Sequence, residues 1–417
     1  MKYNYILFGS LLMLFFTSAC QKETVLPDNN RGEPYYDISF EHLWSESVEP
    51  GVSENFPRGV KRSSDMILLI TSNWLGAFSM DNGAMLWKYE PEHDQTILED
   101  SDFIESEDKL IFFQSGFGIM TILNKNTGQL IERKRFFDIP GIQGWPSSVE
   151  KWNDKIIVYT THLLEPGGNM GVHNVYEVDP SDMSVRLLAS EEGVHSSSHK
   201  KKILIDSVGN KAYIYFRADE DGIRHMNFLE IDLVQYNYRK QRIQLISPLN
   251  FHVHQDIPMA KQNNLLLIEL GSEFGTTAIN IEDGSILWNK KGGVVAGESE
   301  SFYPFYHLGR LYLSSIIQFK NIDVATGKQI WLNKGFYINR HGIDFYPRKH
   351  LAMQFQNYRG SFGILDLHDG TMLAKLDASA LGNAQYFATN PLYIEQLDAW
   401  VVCTDDFTLH CIKWPFK

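Results

Sequence analysis

One repeating pattern constrains the fold of this chain more than any other feature. An apolar strand is followed by a short polar or Gly-containing turn and then by an alternating strand that ends near Asp or Asn. A turn with Gly comes next, and a third strand that often carries Trp closes the unit. The pattern is clearest in five segments, 68–89, 110–136, 265–290, 311–334 and 351–376. Repeats of this size and content are typical of arrays of small β-sheets.

The Gly-containing turn has the same chemistry in each of these units. Asn-Gly, Asp-Gly and Thr-Gly pairs supply the positive φ that a tight hairpin needs. They occur at Asp81-Asn82-Gly83, Asn126-Thr127-Gly128, Asp283-Gly284, Thr326-Gly327 and Asp369-Gly370. The sequence therefore predicts a hairpin between the outer strands of each unit.

Three further segments complete the array. Segments 155–189 and 211–245 keep the strands but enlarge the first turn, and segment 399–414 has two strands without an outer one. A lone strand-like segment with a Trp, 40–48, supplies the missing strand, which closes a ring and removes the sheet edges.

We therefore predict an all-β, eight-bladed β-propeller over residues 39–417, with four-stranded antiparallel blades and seven blades as the alternative. The period of about 40–50 residues is that of a propeller blade. The enlarged turns at 162–172 and 218–224 are the best candidates for a specific surface, because binding residues are often on loops.

The repeats resemble the quinoprotein-type (PQQ-like) propeller repeat. The residues that carry the resemblance are an alternating strand to Asp, then a Gly turn, then Trp, as in Asp81, Gly83 and Trp87 or in Asp283, Gly284 and Trp288. We expect these Trp side chains to pack between blades, since indoles are large apolar groups.

The resemblance also allows a test for a cofactor. Quinone-dependent dehydrogenases of this fold carry an adjacent Cys-Cys pair against the quinone. Cys20, Cys403 and Cys411 are the only cysteines of this chain, and none is adjacent to another. A quinone-dependent dehydrogenase is therefore disfavoured, and we expect no catalytic residue and no cofactor.

The first twenty residues have the pattern of an export signal. Lys2 precedes an apolar run, 6–16, and Ser18 and Ala19 come before Cys20. This end resembles the lipobox of bacterial lipoproteins, with Thr17 where that family usually has Leu. The resemblance implies a signal peptide over 1–19, palmitate and other lipid on Cys20, and a flexible tether over 20–38.

The residues after Cys20 bear on location. Gln21-Lys22-Glu23 resembles the surface-export signal of some Bacteroidetes lipoproteins, although those signals usually carry two acidic residues. We expect an outer-membrane lipoprotein, and its orientation toward the periplasm or the cell surface stays open. The formal charge of −13 argues against nucleic acid as a partner, because phosphate binding needs a basic face.

Several side chains are weak candidates for a site. Histidines precede the early strands of several units and could form a metal site or simply fill a wet central channel; they are His195, His199, His252, His254, His307 and His341. Four aromatic residues are candidates for exposed anchors that bind a partner or ligand, but they could equally belong to the core. They are Trp145, Tyr303, Phe305 and Tyr346. Cys403 and Cys411 fall on non-opposed positions of a hairpin, which disfavours a disulfide.

These observations favour a non-catalytic, membrane-anchored scaffold that binds a protein partner in the bacterial envelope. In anchor and fold the chain resembles the propeller lipoprotein of the outer-membrane barrel-assembly machinery. The alternative is a propeller that binds a glycan or a metal, or acts as a lyase, through its central funnel.

Overall fold

The computed structural model describes most of the chain from residue 40 onward. The described residues are 40–48, 57–91, 102–114, 118–165, 168, 170–194, 203–220, 223–244, 259–262, 264–269, 276–290, 303–314, 318–334, 343–346, 349–356 and 360–414.

The described strands form eight four-stranded antiparallel sheets. The first strand of the chain, β1 (Glu41–Ser47), belongs to the last sheet. The next four sheets follow in chain order: sheet 1, with β2 (Pro57–Ser63), β3 (Met66–Thr71), β4 (Leu75–Ser79) and β5 (Met85–Tyr89); sheet 2, with β6 (Asp102–Ser106), β7 (Lys109–Gln114), β8 (Ile119–Asn124) and β9 (Leu130–Arg135); sheet 3, with β10 (Trp145–Trp152), β11 (Lys155–Leu163), β12 (Met170–Val178) and β13 (Val185–Val194); and sheet 4, with β14 (Leu204–Asp206), β15 (Lys211–Glu220), β16 (Ile223–Asp232) and β17 (Asn237–Gln244).

The remaining four sheets repeat this order of strands. They are sheet 5, with β18 (Met259–Gln262), β19 (Leu265–Glu269), β20 (Thr276–Asn280) and β21 (Ile286–Lys290); sheet 6, with β22 (Tyr303–His307), β23 (Arg310–Ser314), β24 (Gln318–Ile322) and β25 (Gln329–Lys334); sheet 7, with β26 (Ile343–Phe345), β27 (Leu351–Gln356), β28 (Ser361–Asp366) and β29 (Met372–Asp377); and sheet 8, with β30 (Leu392–Ile394), β31 (Ala399–Cys403), β32 (Thr408–Lys413) and β1. Two 3-10 helices, Phe136–Asp138 and Ala378–Leu381, lie in connections between sheets.

The sheets form a propeller, as the sequence predicted. Counted as blades the propeller has seven, which was the alternative, whereas counted as hydrogen-bonded sheets the described strands form eight. The prediction of eight blades is therefore wrong, and the alternative of seven is confirmed.

The N-terminal strand closes the ring. It is the outer strand of sheet 8 and pairs antiparallel with β32, from Glu41 opposite Lys413 to Ser47 opposite Thr408. Apolar side chains of sheets 8 and 1 then pack together, among them Val401 and Leu69. The lone Trp-containing segment of the sequence thus has the place predicted for it.

A Trp of one sheet docks on a Gly of the next at four positions around the ring. The indoles lie so close that a Cβ on the Gly would come within 2.5 to 2.8 Å of ring carbons. The four pairs are Trp44 with Gly83, Trp87 with Gly128, Trp288 with Gly327, and Trp331 with Gly370. We call each pair a Trp–Gly lock.

Three of the four locks, those of Trp44, Trp87 and Trp288, are fixed by a hydrogen bond as well as by contact. Nε1 of Trp87 donates to the carbonyl of Lys125 at 2.8 Å, and Nε1 of Trp288 donates to the carbonyl of Val324 at 2.9 Å. In each case the acceptor stands three residues before the Gly. The sequence-based expectation that these Trp side chains pack between blades is therefore confirmed, and it has a specific geometry.

The antiparallel order gives the ring two different faces. Turns between the first and second strands and between the third and fourth strands lie on one side, which we call the turn face. Connections from each outer strand to the next inner strand, together with the hairpins between second and third strands, lie on the other side, which we call the connecting face.

The hairpin of the two core cysteines differs from prediction by one residue. Cys403 pairs with Leu409 and Cys411 with Val401, not with positions 408 and 400, because the turn extends to Phe407, whose φ is 60°. Both cysteines are buried free thiols, so the expected absence of a disulfide between them agrees with the register.

Candidate partner-binding face

Sheets 3 and 4 are longer than the others and reach out on the connecting face. Their second and third strands have nine or ten residues, whereas those of sheets 1, 5 and 6 have five or six. Pairing continues to the tips, with Leu163 opposite Gly171 in sheet 3 and Glu220 opposite Ile223 in sheet 4. Paired strands therefore take up 162–163 and 170–172 of the first predicted loop, and 218–220 and 223–224 of the second.

The two long sheets are tied together along their outer strands. One oxygen of Glu191 accepts a hydrogen bond of 2.9 Å from the Tyr238 hydroxyl, and the other lies 2.6 Å from Nζ of Lys240. These contacts join β13 to β17. Burial and this carboxylate both raise the pKa of Tyr238, so the hydroxyl stays a hydrogen-bond donor at neutral pH.

An exposed aromatic pair lies at the foot of the sheet 3 hairpin. Trp145 is 46% exposed and Phe137 43% exposed, and their rings meet edge to face with centroids 5.7 Å apart. The guanidinium of Arg135 lies over the Phe137 ring at 5.5 Å from its centroid. We call these three residues, Arg135, Phe137 and Trp145, the aromatic platform.

The platform stands on a connection that is held firmly in place. The side chains of Phe136, Ile139 and Ile142 on this connection are buried between sheets 2 and 3. The carbonyl of Gln143 accepts a hydrogen bond of 2.5 Å from Thr160, and its N–H donates to the Tyr176 hydroxyl at 3.1 Å. The aromatic pair is thus presented by a fixed backbone.

One residue beneath the platform must be small. The benzene ring of Trp145 lies so near Gly118, whose φ is 61°, that a Cβ there would be 3.0 Å from the indole. One side of the indole is therefore covered by backbone, and its exposure is on the remaining surface.

Further exposed apolar side chains continue from the platform along the sheet 3 hairpin. Trp145 is paired with Thr161, and two residues further along β11 the chain reaches Leu163. Leu164 donates its backbone N–H to the carbonyl of Met170 at 3.1 Å, which joins the two sides of the hairpin. Leu163, Leu164 and Met170 are all exposed, so this end of the hairpin presents apolar side chains to solvent.

The other aromatic candidates of the sequence are placed differently. Tyr346 is 2% exposed and packs edge to face against Trp400 at 4.9 Å, so in this structure it is core. Phe305 is half-buried against Phe345 between sheets 6 and 7. Tyr303 begins β22, but its side chain lies outside the described structure. Of these candidates with described side chains, only Trp145 is well exposed.

Most of the proposed ligands lie outside the described residues. This holds for Cys20, the proposed lipidation site, and for five histidines proposed as metal ligands, namely His195, His199, His252, His254 and His341. His307 is described; Nε2 lies 2.8 Å from the carbonyl of Lys349 and the ring stacks on Phe345. Within the described ranges, no group of three His, Cys, Asp or Glu side chains is arranged to hold a metal ion.

Sequence reasoning did not identify a cluster of histidines on the turn face. The rings of His350 and His368 meet at 4.4 Å, and Nδ1 of His368 lies 3.0 Å from Asp366. Burial lowers the pKa of His350, and the neighbouring His368, Arg310 and His307 lower it further. These residues come from turns of two sheets, so no local motif announces them.

The buried cysteines are chemically quiet. Burial raises the pKa of the Cys411 thiol to about 12 and raises that of Cys403 further still. Because the thiolate is the reactive form, neither thiol is a nucleophile at neutral pH.

No helix in the described part of the chain has the length and apolar character needed to span a membrane.

Comparison with known proteins gives the fold. No protein-family model and no curated protein matches the chain. Among solved structures the chain is similar to BamB from Moraxella catarrhalis, at 12% identity and a TM-score of 0.56, over 91% of this chain and 99% of that one.

Two other solved structures share the architecture. Quinohemoprotein alcohol dehydrogenase from Comamonas testosteroni has 10% identity and a TM-score of 0.58, over 91% of this chain and 78% of that one. Raptor from Chaetomium thermophilum has 9% identity and a TM-score of 0.53, over 91% of this chain and 30% of that one. At such identities the likeness shows the fold alone, which is the PQQ-like propeller that the repeats predicted.

Proposed function

We propose that this protein is a non-catalytic scaffold, anchored to a membrane of the bacterial envelope, that binds a protein partner through its connecting face. The observation that carries the proposal is the extension of sheets 3 and 4. Their long hairpins are not needed to close the ring, and they project a rigid, partly apolar surface on one face. The full-length likeness to BamB is in keeping with such a role.

The scaffold is tested by recovery of a defined partner. The full chain, purified with its interactors from solubilised membranes, should retain one envelope protein in constant ratio. Leu164→Asp should lose that protein, whereas Leu308→Asp should keep it. The two residues are matched, since Leu164 is 46% exposed on the connecting face and Leu308 is 45% exposed on the turn face.

A different outcome would reject the scaffold. If no protein is retained, and a glycan or a divalent metal raises the melting temperature of the chain by several degrees, then a ligand-binding propeller is the better description.

The anchor is the second part of the proposal. Cys20 follows an export signal in the sequence and is proposed as the lipidated residue, with 1–19 removed and 20–38 as the tether to a propeller over 39–417. Palmitate label should enter the native chain and be absent from Cys20→Ala. The matched control is Cys411→Ala, which removes a buried thiol and should keep the label.

The site of the anchor is proposed to be the outer membrane. Fractionation should place the labelled chain there, and protease added to intact cells should then separate the two orientations, since only a surface-exposed chain would be cut. Label in Cys20→Ala equal to that of the native chain would contradict the anchor.

A further inference from the structure

We infer that the aromatic platform docks an acidic segment of the protein partner, which inserts an apolar side chain against Phe137 and Trp145 and sets carboxylates against Arg135. This inference rests on the proposed function and names the chemistry of the partner.

The apolar part of the argument is the position of the exposed side chains. In the described structure, the exposed large apolar residues outside the platform and the sheet 3 hairpin lie mostly on outer strands or on the turn face. On the connecting face Phe137 and Trp145 meet edge to face, and the exposed Leu163, Leu164 and Met170 belong to the hairpin whose strand β11 pairs with β10 at Trp145. Large aromatic anchors of this kind carry much of the binding energy of protein interfaces.

The fixed position of the platform residues favours tight binding of a partner. Trp145 rests on Gly118, and the connection that carries Phe137 is fixed by buried neighbours and by hydrogen bonds to Gln143. Little conformational entropy is then lost when a partner docks, so a preformed aromatic surface binds more tightly than a mobile one.

The cationic residues near the platform favour an acidic segment of the partner. The chain as a whole has a formal charge of −13. The stretch 132–145 nonetheless has three cationic residues, Arg133, Lys134 and Arg135, and two carboxylates, Glu132 and Asp138, which gives it a net charge of +1. Lys134 is paired with Glu132, whereas Arg135 is exposed and lies over the Phe137 ring. A segment that combines apolar and acidic side chains complements this surface.

The platform is tested by photo-cross-linking in the cells that produce the protein. A benzophenone amino acid replaces Phe137 in the full chain, and another copy carries it in place of Leu308 on the turn face. We expect a discrete protein adduct from position 137 only. Mass spectrometry of the cross-linked peptide should show an apolar residue with at least one carboxylate close to it in sequence.

Charge reversal provides the matched control. Arg135→Glu in the chain that carries the probe at 137 should lower the adduct yield at least tenfold. Arg186→Glu should leave it unchanged, although Arg186 is likewise exposed and lies over an aromatic ring, that of Tyr236, at 4.0 Å. Thermal melting of both variants checks that each is folded.

The outcomes separate the two levels of the proposal. A protein adduct from position 308 alone would contradict the platform but not the scaffold. The same holds if the cross-linked segment is basic, or if Arg135→Glu leaves the adduct yield at position 137 unchanged. A glycan or lipid adduct at 137 also overturns the platform. If neither position gives a protein adduct and no partner is retained on purification, both proposals fall.

Discussion

Neighbouring sheets pack against each other differently at the Trp–Gly locks and at the long sheets 3 and 4. At the Trp–Gly locks an indole of one outer strand covers the turn of the next sheet, as Trp87 covers Gly128. In sheets 3 and 4 the turn position with positive φ is not Gly but Met183, with φ of 62°, or Tyr236, with φ of 55°. The preceding outer strands have no Trp at the matching position; Glu132 and Leu187 stand there.

The difference shows that the presence of a docked Trp and the residue type at the turn vary together. A Cβ at the turn would collide with a docked indole, so Trp and Gly are present as a pair or are both absent. Between sheets 3 and 4 the guanidinium of Arg186 covers the Tyr236 ring instead. Sheet 5 is the exception, with Gly284 but Lys240 in place of Trp, and Arg239 binds the carbonyls of Ile281 and Glu282 there.

The largest expected effect breaks a lock. Trp87→Ala removes a buried indole and its hydrogen bond, and should lower the free energy of unfolding by about 3–5 kcal/mol. Leu187→Ala, at the matching position of a long sheet, removes an exposed side chain and should change it by less than about 0.5 kcal/mol. Urea denaturation followed by circular dichroism compares them, and equal losses would show that the lock is not the stabilising element.

Adding a Cβ at the turn glycine tests the same lock from its other side. Gly128→Ala combines the strain of positive φ with a clash against Trp87, and should cost roughly 2–4 kcal/mol. Gly309→Ala has a similar φ of 76° and open space around its new Cβ, so it should cost only about 1 kcal/mol. Thermal unfolding of the two variants isolates the clash, and the argument fails if they melt together.

The pairing of β1 with β32 in sheet 8 adds a pH dependence to the stability of the protein that the long sheets are not expected to share. His410 lies on β32, with Nδ1 3.4 Å from Nε2 of His42 on β1 and Nε2 3.1 Å from the Thr404 hydroxyl. Burial, followed by the nearby His42, lowers the pKa of His410 to about 4, although Asp406 opposes the shift.

The sign of this effect follows from proton binding. The pKa of His410 in the folded state lies below its ordinary value of 6.5, so the unfolded chain takes up the proton first as pH falls. The stabilisation is complete above pH 6.5 and is lost as pH falls toward 4, by about 2 kcal/mol after allowance for screening by solvent. Urea denaturation at several pH values should show a shallower loss for His410→Gln than for the native chain, and equal slopes would contradict this account.

The smallest expected effect concerns the tie between the long sheets. Glu191→Gln weakens the contacts to Tyr238 and Lys240, and should cost no more than about 1 kcal/mol because the pair lies near the surface. Hydrogen exchange along β13 should quicken while exchange in sheet 1 stays unchanged. Faster exchange in both sheets would mean that the long sheets are not an independent unit.

The repeats made most of the fold predictable. Asp81-Asn82-Gly83 and its counterparts carry the turn chemistry, and Trp44 in a lone segment announced the strand that closes the ring. These features are local or periodic, so one sequence is enough to find them. The blade count was wrong by one, since eight units were counted in the sequence and the propeller has seven blades.

The candidate site was harder to predict for physical reasons. Pairing of Asp219 with Arg224 and of His162 with Val172 shows strands where polar residues and Gly had suggested loops. The Asp221-Gly222 pair was a hairpin signal that could have corrected this. Phe137 stands outside every repeat, and only the fold brings it to Trp145.

Ring closure by the first strand sets an order of events during biosynthesis. His42 and His410 touch across 368 positions of sequence, so β1 emerges long before its partner exists. Until then one edge of the future sheet 8 has no strand to pair with, and such an edge invites pairing with other chains. Truncation shortly before β32 would therefore leave β1 without its partner strand in every copy.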